Sequence, residues 1–293
     1  MPFLLFATAV LAVFLATPMT DAGFVAFEDS SSLANPIFFT IMLLFFTGIL
    51  LLLIRYKLQT IIRLIILASL FLSYIYVFSA ILISFDLSLS LVTVLGAILA
   101  GCATALLLRF PEWYVIDVLG VLLAGGIASI FGISLRPVPV IVLLVILAVY
   151  DAISVYRTKH MLTLADGVME QKVPIMVIVP KKRNYSFIKE KFESIKPDSS
   201  SDPSHTHDRG AYLMGLGDLI MPTVLVVSAA VFVPGGGIGI FSFCSITTLI
   251  GSLIGLSLLM FLVQRGSAHA GLPPLNGGAI IGFFIGTMLI SGL

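Results

Sequence analysis

Asp151 and Asp218 stand inside otherwise apolar stretches, in Val149-Tyr150-Asp151-Ala152 and in Met214-Gly215-Leu216-Gly217-Asp218-Leu219. A carboxylate in hydrocarbon costs roughly 2.5–3.5 kcal/mol on insertion scales, so acids kept there are candidates for chemistry. One such acid can relay protons. Two that meet can share a proton and activate a water molecule for hydrolysis.

The elements that must position these acids are membrane helices. Of 293 residues, 59% are hydrophobic and 11% charged, and the mean hydropathy is +1.15. Apolar runs recur along the chain, each long enough at about 20 residues to cross a hydrocarbon core of ~30 Å as a helix. A soluble fold would need almost every helix to be apolar all round. The net charge of +1 points to no particular partner. Cys102 and Cys244 both lie in apolar segments. They read as small core residues rather than a disulfide or a metal site.

Nine spans are predicted, at 3–20, 36–54, 64–85, 87–107, 113–133, 137–157, 211–234, 240–263 and 271–293. The fold class is an all-α polytopic membrane protein. Of the sixteen Lys and Arg residues, all but Arg136 fall in connections on one side of this arrangement, ten of them in the stretch 157–210. The positive-inside rule makes that side cytoplasmic. The N-terminus is then inside, the C-terminus outside, and the opposite loops carry Asp21, Glu28, Asp29 and Asp86. A cleaved signal peptide is the rival reading of the first segment, which lacks a basic leading region. The chain divides into helices 1–6 over 1–157, a large cytoplasmic loop over 158–210, and helices 7–9 over 211–293. Within the loop, 173–180 is an apolar β-branched run bounded by prolines and reads as a strand or interfacial segment. Residues 196–210 are almost without apolar side chains and read as disordered. His205 and His207 fall there and read as part of a solvated linker, with no spaced ligand to complete a metal site.

Asp151 lies six residues before Arg157, and Asp218 seven residues after Ala211. At ~1.5 Å per residue, both would sit about 9–11 Å from the cytoplasmic ends of consecutive helices. Matched depth is what a working pair requires. Gly215 and Gly217 loosen the helix start beside Asp218 and let backbone or water approach. Asp117, near the start of span 5, is expected to snorkel or to meet Arg109, with a proton-path or site-support role as the alternative. Gly271-Leu272-Pro273-Pro274-Leu275-Asn276-Gly277-Gly278 is expected to be non-helical through its two prolines. Its open backbone groups could then pair with an extended peptide. Gly278, Gly282 and Gly286 recur every four residues, a spacing that lets a neighbouring helix pack closely. Gly235-Gly236-Gly237 reads as a turn.

Three residue groups now coincide: Tyr150-Asp151, Gly215-Leu216-Gly217-Asp218 and Pro273-Pro274-Leu275. Their order, and their places on spans 6, 7 and 9, resemble the presenilin and signal peptide peptidase family of intramembrane aspartic proteases of the Gly-x-Gly-Asp type. The small size is similar to its prokaryotic, especially archaeal, members. The resemblance spans nearly the whole chain in topology and is motif-level in residues. Tyr-Asp and Gly-x-Gly-Asp match the family pattern, whereas Pro274 stands where the family has alanine in Pro-Ala-Leu. The resemblance implies an aspartic endopeptidase of the cell membrane with Asp151 and Asp218 as its catalytic pair. Tyr150, Gly215, Leu216, Gly217, Pro273, Pro274 and Leu275 would support the site or bind substrate. It implies transmembrane segments as substrates, entering with their N-termini outside, and the bilayer as partner, with self-association left open. No cofactor, metal or nucleic acid is called for.

Two other classes fit the residues. In a transporter or channel, Asp117, Asp151 and Asp218 would form an ion or proton path and the broken helix at Pro273–Pro274 a binding site. A non-catalytic scaffold or leak pathway is the third. Other protease classes fit poorly. There is no Ser–His pair or His-Glu-x-x-His run, and His160, His205, His207 and His269 all fall in loops.

Overall fold

The computed structural model describes residues 1–85, 87–155, 176–180, 211–233, 235–263 and 270–291. A backbone in hydrocarbon must satisfy its hydrogen bonds internally, so the apolar runs become helices. Among the described residues these are α1 (Pro2–Asp21), α2 (Ala34–Arg55), α3 (Gln59–Ile83), α4 (Leu89–Arg109), α5 (Trp113–Ser134), α6 (Pro137–Ile153), α7 (Leu216–Phe232), α8 (Phe243–Val263) and α9 (Leu272–Ser291). Seven are long and apolar enough to cross a membrane. The two shorter ones, α6 and α7, are the helices that carry Asp151 and Asp218.

The interior and the rim are sharply distinguished. The apolar window of α5 is 67% buried, that of α2 not at all. Helices α1, α5 and α7 pack on one another at the centre, α3 pairs with α4, and α9 lies against α8, α6 and α7. Large apolar side chains cover the outside, among them Phe3, Phe45, Leu89 and Met288. A surface of that kind is suited to lipid and would aggregate in water.

The closest helix contact is backbone on backbone. A Cβ at Gly255 of α8 would run into the Pro274 carbonyl and lie 3.1 Å from Leu275 Cα. Added Cβ atoms at Gly278, Gly282 and Gly286 of α9 would likewise collide with α8. The four-residue glycine spacing therefore does what it predicts. Many hydroxyls in the bundle are satisfied within their own helix, as Thr8 Oγ1 donates to the Leu4 carbonyl at 2.8 Å and Thr223 Oγ1 to that of Leu219 at 2.7 Å, while Ser228 Oγ reaches the distant Leu135 carbonyl at 2.6 Å.

Two short sheets complete the described structure. β1 (Met176–Pro180) pairs antiparallel with β2 (Ala211–Gly215) in the register Met176↔Gly215, Ile178↔Leu213, Pro180↔Ala211. β3 (Gly237–Ile238) and β4 (Phe241–Ser242) make a small hairpin that turns at Gly239 and Ile240, so the turn falls just after the predicted Gly235–Gly237, of which Gly237 is strand.

Three further expectations change. The segment expected to begin a helix at 211 is strand through Gly215, and α7 starts only at Leu216. Residues 272–278 are helical, not open. The first four amides of a helix have no intrahelical acceptor, so prolines at 273 and 274 forfeit nothing there. Cys102 lies exposed on α4, and only Cys244 is buried. Of the predicted strand 173–180, residues 176–180 are strand. Residues 173–175, Asp86, the four histidines and most of the loop 158–210 lie outside the described residues.

Candidate active site

Helix α6 is an apolar run opened by Pro137 at its first turn, and it ends two residues beyond Asp151. The Asp151 side chain is only 5% exposed, with Tyr150 half-buried beside it. Its Oδ2 accepts the Leu272 amide at 3.0 Å, and the Gly271 amide faces the same carboxylate. The sequence explains this bond. Of the four unpaired amides that a helix start leaves, α9 has lost two to Pro273 and Pro274. Leu272 keeps one of the remaining donors, and a carboxylate at the positive end of the helix dipole satisfies it.

Asp218 is the third residue of α7, whose N-cap is Gly215. From that position it reaches back to the Gly215 backbone amide. This is the acid half of a capping box, and a glycine N-cap has no side chain to supply the other half. Asp218 is half-buried and borders a cavity of about 180 Å³ whose wall also includes Tyr212, Met214, Gly215, Leu259 and Gly271. Asp151 is not on that wall. A Cβ at Gly271 would stand 3.1 Å from Asp218 Oδ2 and 3.5 Å from its Oδ1, so only glycine fits without displacing the carboxylate.

The two acids therefore converge on one peptide unit. Asp151 holds the Leu272 amide, and Asp218 lies beside Gly271 on the side where a Cβ would stand. Each acid is two residues from the end of its helix. The two placements match, while the estimate of about 9–11 Å of helix before Asp218 does not hold, because the chain is strand up to Gly215 and α7 begins only at Leu216.

The supporting residues take distinct places. Leu216 is buried and packs on α5, where a Cβ at Gly120 would come within 3.1 Å of its Cδ2. A Cβ at Gly217 would meet nothing within 4 Å, so the flank of Asp218 on that side is open. Pro274 and Leu275 press on Gly255 of α8, and Leu275 is fully buried. They fix α9 rather than offer an open strand. Asn276 belongs with them and was not singled out from the sequence. Its Nδ2 donates to the Leu144 carbonyl of α6 at 3.0 Å, and its buried Oδ1 has no partner. A polar amide in an apolar span, one residue past the Pro-Pro-Leu motif, is the signal that could have found it.

Asp117 neither snorkels nor meets Arg109. It is 7% exposed, and its Oδ1 accepts the Ile178 amide of β1 at 2.8 Å. The Arg109 guanidinium instead lies over the Phe110 ring, 5.7 Å from its centre. Among the described residues no group of three His, Cys, Asp or Glu side chains is placed to hold a metal ion.

A bundle of apolar helices carrying two converging carboxylates, one buried and one half-buried, defines a polytopic membrane protein with the parts of an acid–base hydrolase. Comparison with known proteins gives the class a family. Residues 3–292 match the family model described as signal-peptide peptidase, presenilin aspartyl protease. A solved structure of a presenilin family intramembrane aspartate protease, in space group C222, is 42% identical, with a TM-score of 0.72 over 98% of this chain and 97% of that one. A second, in space group P2, is 43% identical, with a TM-score of 0.70 over 98% and 96% of the two chains. Among curated proteins no significant match was found. The chain belongs to the signal-peptide peptidase and presenilin family of aspartyl proteases. It is an intramembrane aspartic endopeptidase and a multi-pass membrane protein, and neither the family match nor these structures support the transporter reading.

Proposed function

We propose that Asp151 and Asp218 are the catalytic pair and that they hydrolyse peptide bonds within or near transmembrane segments of other membrane proteins. The observation that carries this reading is the convergence of both carboxylates on the Gly271–Leu272 peptide unit. Two carboxyl groups that close cannot both ionise easily, so one holds a proton and the other does not. The ionised member takes a proton from a bound water, which attacks the peptide carbonyl. The protonated member donates a hydrogen bond to the developing oxyanion and then helps protonate the leaving amine.

A helical substrate hides its carbonyls in its own hydrogen bonds and must unwind locally before attack. The β1–β2 sheet supports strand addition as the means, because β2 runs directly into the Gly215–Asp218 turn. The helical start of α9 favours the sheet over Pro273–Leu275 for that role. These residues, with Tyr150, Gly215, Leu216 and Gly217, instead shape and hold the site.

All nine helices are proposed to span the cell membrane, with the N-terminus cytoplasmic and the C-terminus outside. The charge asymmetry supports this. The division into helices 1–6, a cytoplasmic loop over 158–210 and helices 7–9 follows from it. At 17 residues each, α6 and α7 are about 25 Å long, shorter than a hydrocarbon core of ~30 Å. If their outer ends meet the surface, the acids lie recessed about 8 Å below the inner one, where water can be expected to reach. Substrates would enter with their N-termini outside, and the enzyme works alone or as a homo-oligomer.

The test uses purified protein in liposomes, a panel of single-span peptides and mass spectrometry. Wild type is expected to cut within or near the span, and Asp151→Asn and Asp218→Asn not at all. Equal cleavage by either variant would remove that aspartate from the pair.

A further inference from the structure

We propose that Asp117 is a positioning residue for the reaction: its carboxylate anchors β1 to α5 and thereby fixes the register of the sheet that leads into Asp218. This rests on the reading that Asp151 and Asp218 catalyse and that the sheet receives substrate.

The anchor is a single bond between distant parts of the chain. Asp117 lies in the second turn of α5 and is buried, and its Oδ1 accepts the Ile178 amide of β1 at 2.8 Å. In an antiparallel pair, alternate residues direct their backbone groups to the partner strand and away from it. An amide given to Asp117 is one that β1 directs away from β2, toward α5. A two-stranded sheet is marginal by itself and gains its stability from what it packs on. Here that support is α5, and Asp117 supplies it with a hydrogen bond at one fixed residue.

The same helix also holds the other end of the assembly. One turn past Asp117, Gly120 leaves room for Leu216, the first residue of α7. Between these two grips on α5 the chain runs through the register Ile178↔Leu213 and Met176↔Gly215 to the Gly215 cap, where Asp218 bonds back. A slip of one residue in β1 would turn every side chain of the strand to the opposite face. If substrate is added to this sheet, its register decides which peptide bond reaches the acids. Removing the anchor should therefore alter where the enzyme cuts as well as how fast.

The experiment compares Asp117→Ala and Asp117→Asn with wild type on the single-span peptides, reading kcat, KM and the distribution of cut positions by mass spectrometry. Asparagine retains an oxygen that accepts the Ile178 amide. D117N is expected within about threefold of wild type, with the same main cut, and D117A to lose about tenfold, mostly in kcat, with cuts spread to neighbouring bonds. Ile178→Pro deletes the donor from the other side. Adding it to D117A should cost only its lost packing, so the two changes are expected to be strongly non-additive. Where D117A is too unstable to purify, D117N against I178P carries the same test, since one keeps the bond and the other cannot form it.

Wild-type rate and cut positions in D117A would overturn the proposal. So would additivity with I178P, or a D117N as impaired as D117A, which would assign the role to charge rather than to acceptance of the amide. Asp218→Asn, run alongside, separates the claims. Cleavage surviving there overturns the catalytic pair, whereas its loss there with wild-type behaviour in D117A overturns only the positioning role.

Discussion

At the end of the bundle where α6 begins, Asp29 lies in the connection between α1 and α2 and bonds to its own neighbourhood. Its Oδ1 accepts the Ser31 hydroxyl at 2.7 Å and the Ser31 amide at 3.0 Å. At the other end of α6, Asp151 is buried and accepts an amide 121 residues away, while Asp117 accepts one 61 residues away. The residue type is the same and the uses are opposite. In water an aspartate competes for nearby backbone and makes a turn. In hydrocarbon every unpaired donor is costly, so a buried carboxylate and a backbone amide left without a ladder or helix partner satisfy each other across the fold. The buried aspartates thus tie together segments that no local rule connects.

The comparison is most severely tested by removing the buried charges. Asp151→Asn and Asp218→Asn keep size and lose the acid. Each is expected to reduce peptide cleavage by a factor of about 10²–10⁴ or beyond detection, the range typical of a lost general acid or base. Folded yield and melting in detergent would be measured alongside, and should change little for Asn.

Next is the glycine between the acids. Gly271→Ala places a methyl 3.1 Å from Asp218 Oδ2, so the carboxylate must shift by a few tenths of an ångström. A misplacement of about 1 Å can cost 10²-fold in rate, and a smaller one is expected here, near tenfold in kcat with KM little changed. Gly217→Ala is the control for helix propensity, because nothing lies within 4 Å of the added methyl. Equal losses in the two would refute a steric role for Gly271.

Asn276→Ala is expected to act through stability. It deletes the bond from α9 to the Leu144 carbonyl and should destabilise the protein by about 1 kcal/mol, read as a lowered melting temperature in detergent. Cleavage by the remaining folded fraction should stay near normal.

The smallest effect is expected at Asp29. The Ser31 hydroxyl, and then the Ser31 amide, hold its carboxyl below the usual carboxylate range. A depressed value means that the stabilisation is present at neutral pH and fades as pH falls through the folded-state value. The melting gap between wild type and Asp29→Ala should therefore be small at pH 7 and close in acid, with cleavage unaltered. A gap that widened in acid would contradict the local hydrogen-bond account.

The legible part of the site was the part written in contiguous residues. Tyr150-Asp151 and Gly215-Leu216-Gly217-Asp218 stood out because acids in apolar runs are costly, whatever the fold. Pro273-Pro274-Leu275 stands out as well, but its backbone is helical rather than open. Two prolines exclude a helix interior and are welcome in a helix's first turn, and only the true helix start decides between them. The strand at 211–215 was hidden for a related reason. Its apolar residues are continuous with those of α7, and periodicity cannot divide a short buried strand from a buried helix. Asp117 departs from expectation because Arg109 is the nearest charge of opposite sign along the chain, whereas its actual partner, the Ile178 amide, lies 61 residues away.

By itself the sequence determined that this protein lives in a membrane, how many apolar runs it has, and which two acids merit attention. These follow from the transfer cost of side chains, which depends on composition and order alone. Tertiary structure decided what each buried polar group meets: Asp151 the start of α9, Asp218 the Gly215 cap and Gly271, Asp117 the edge of β1. Such pairings are set by which helices approach within hydrogen-bond reach, and that depends on packing over the whole bundle.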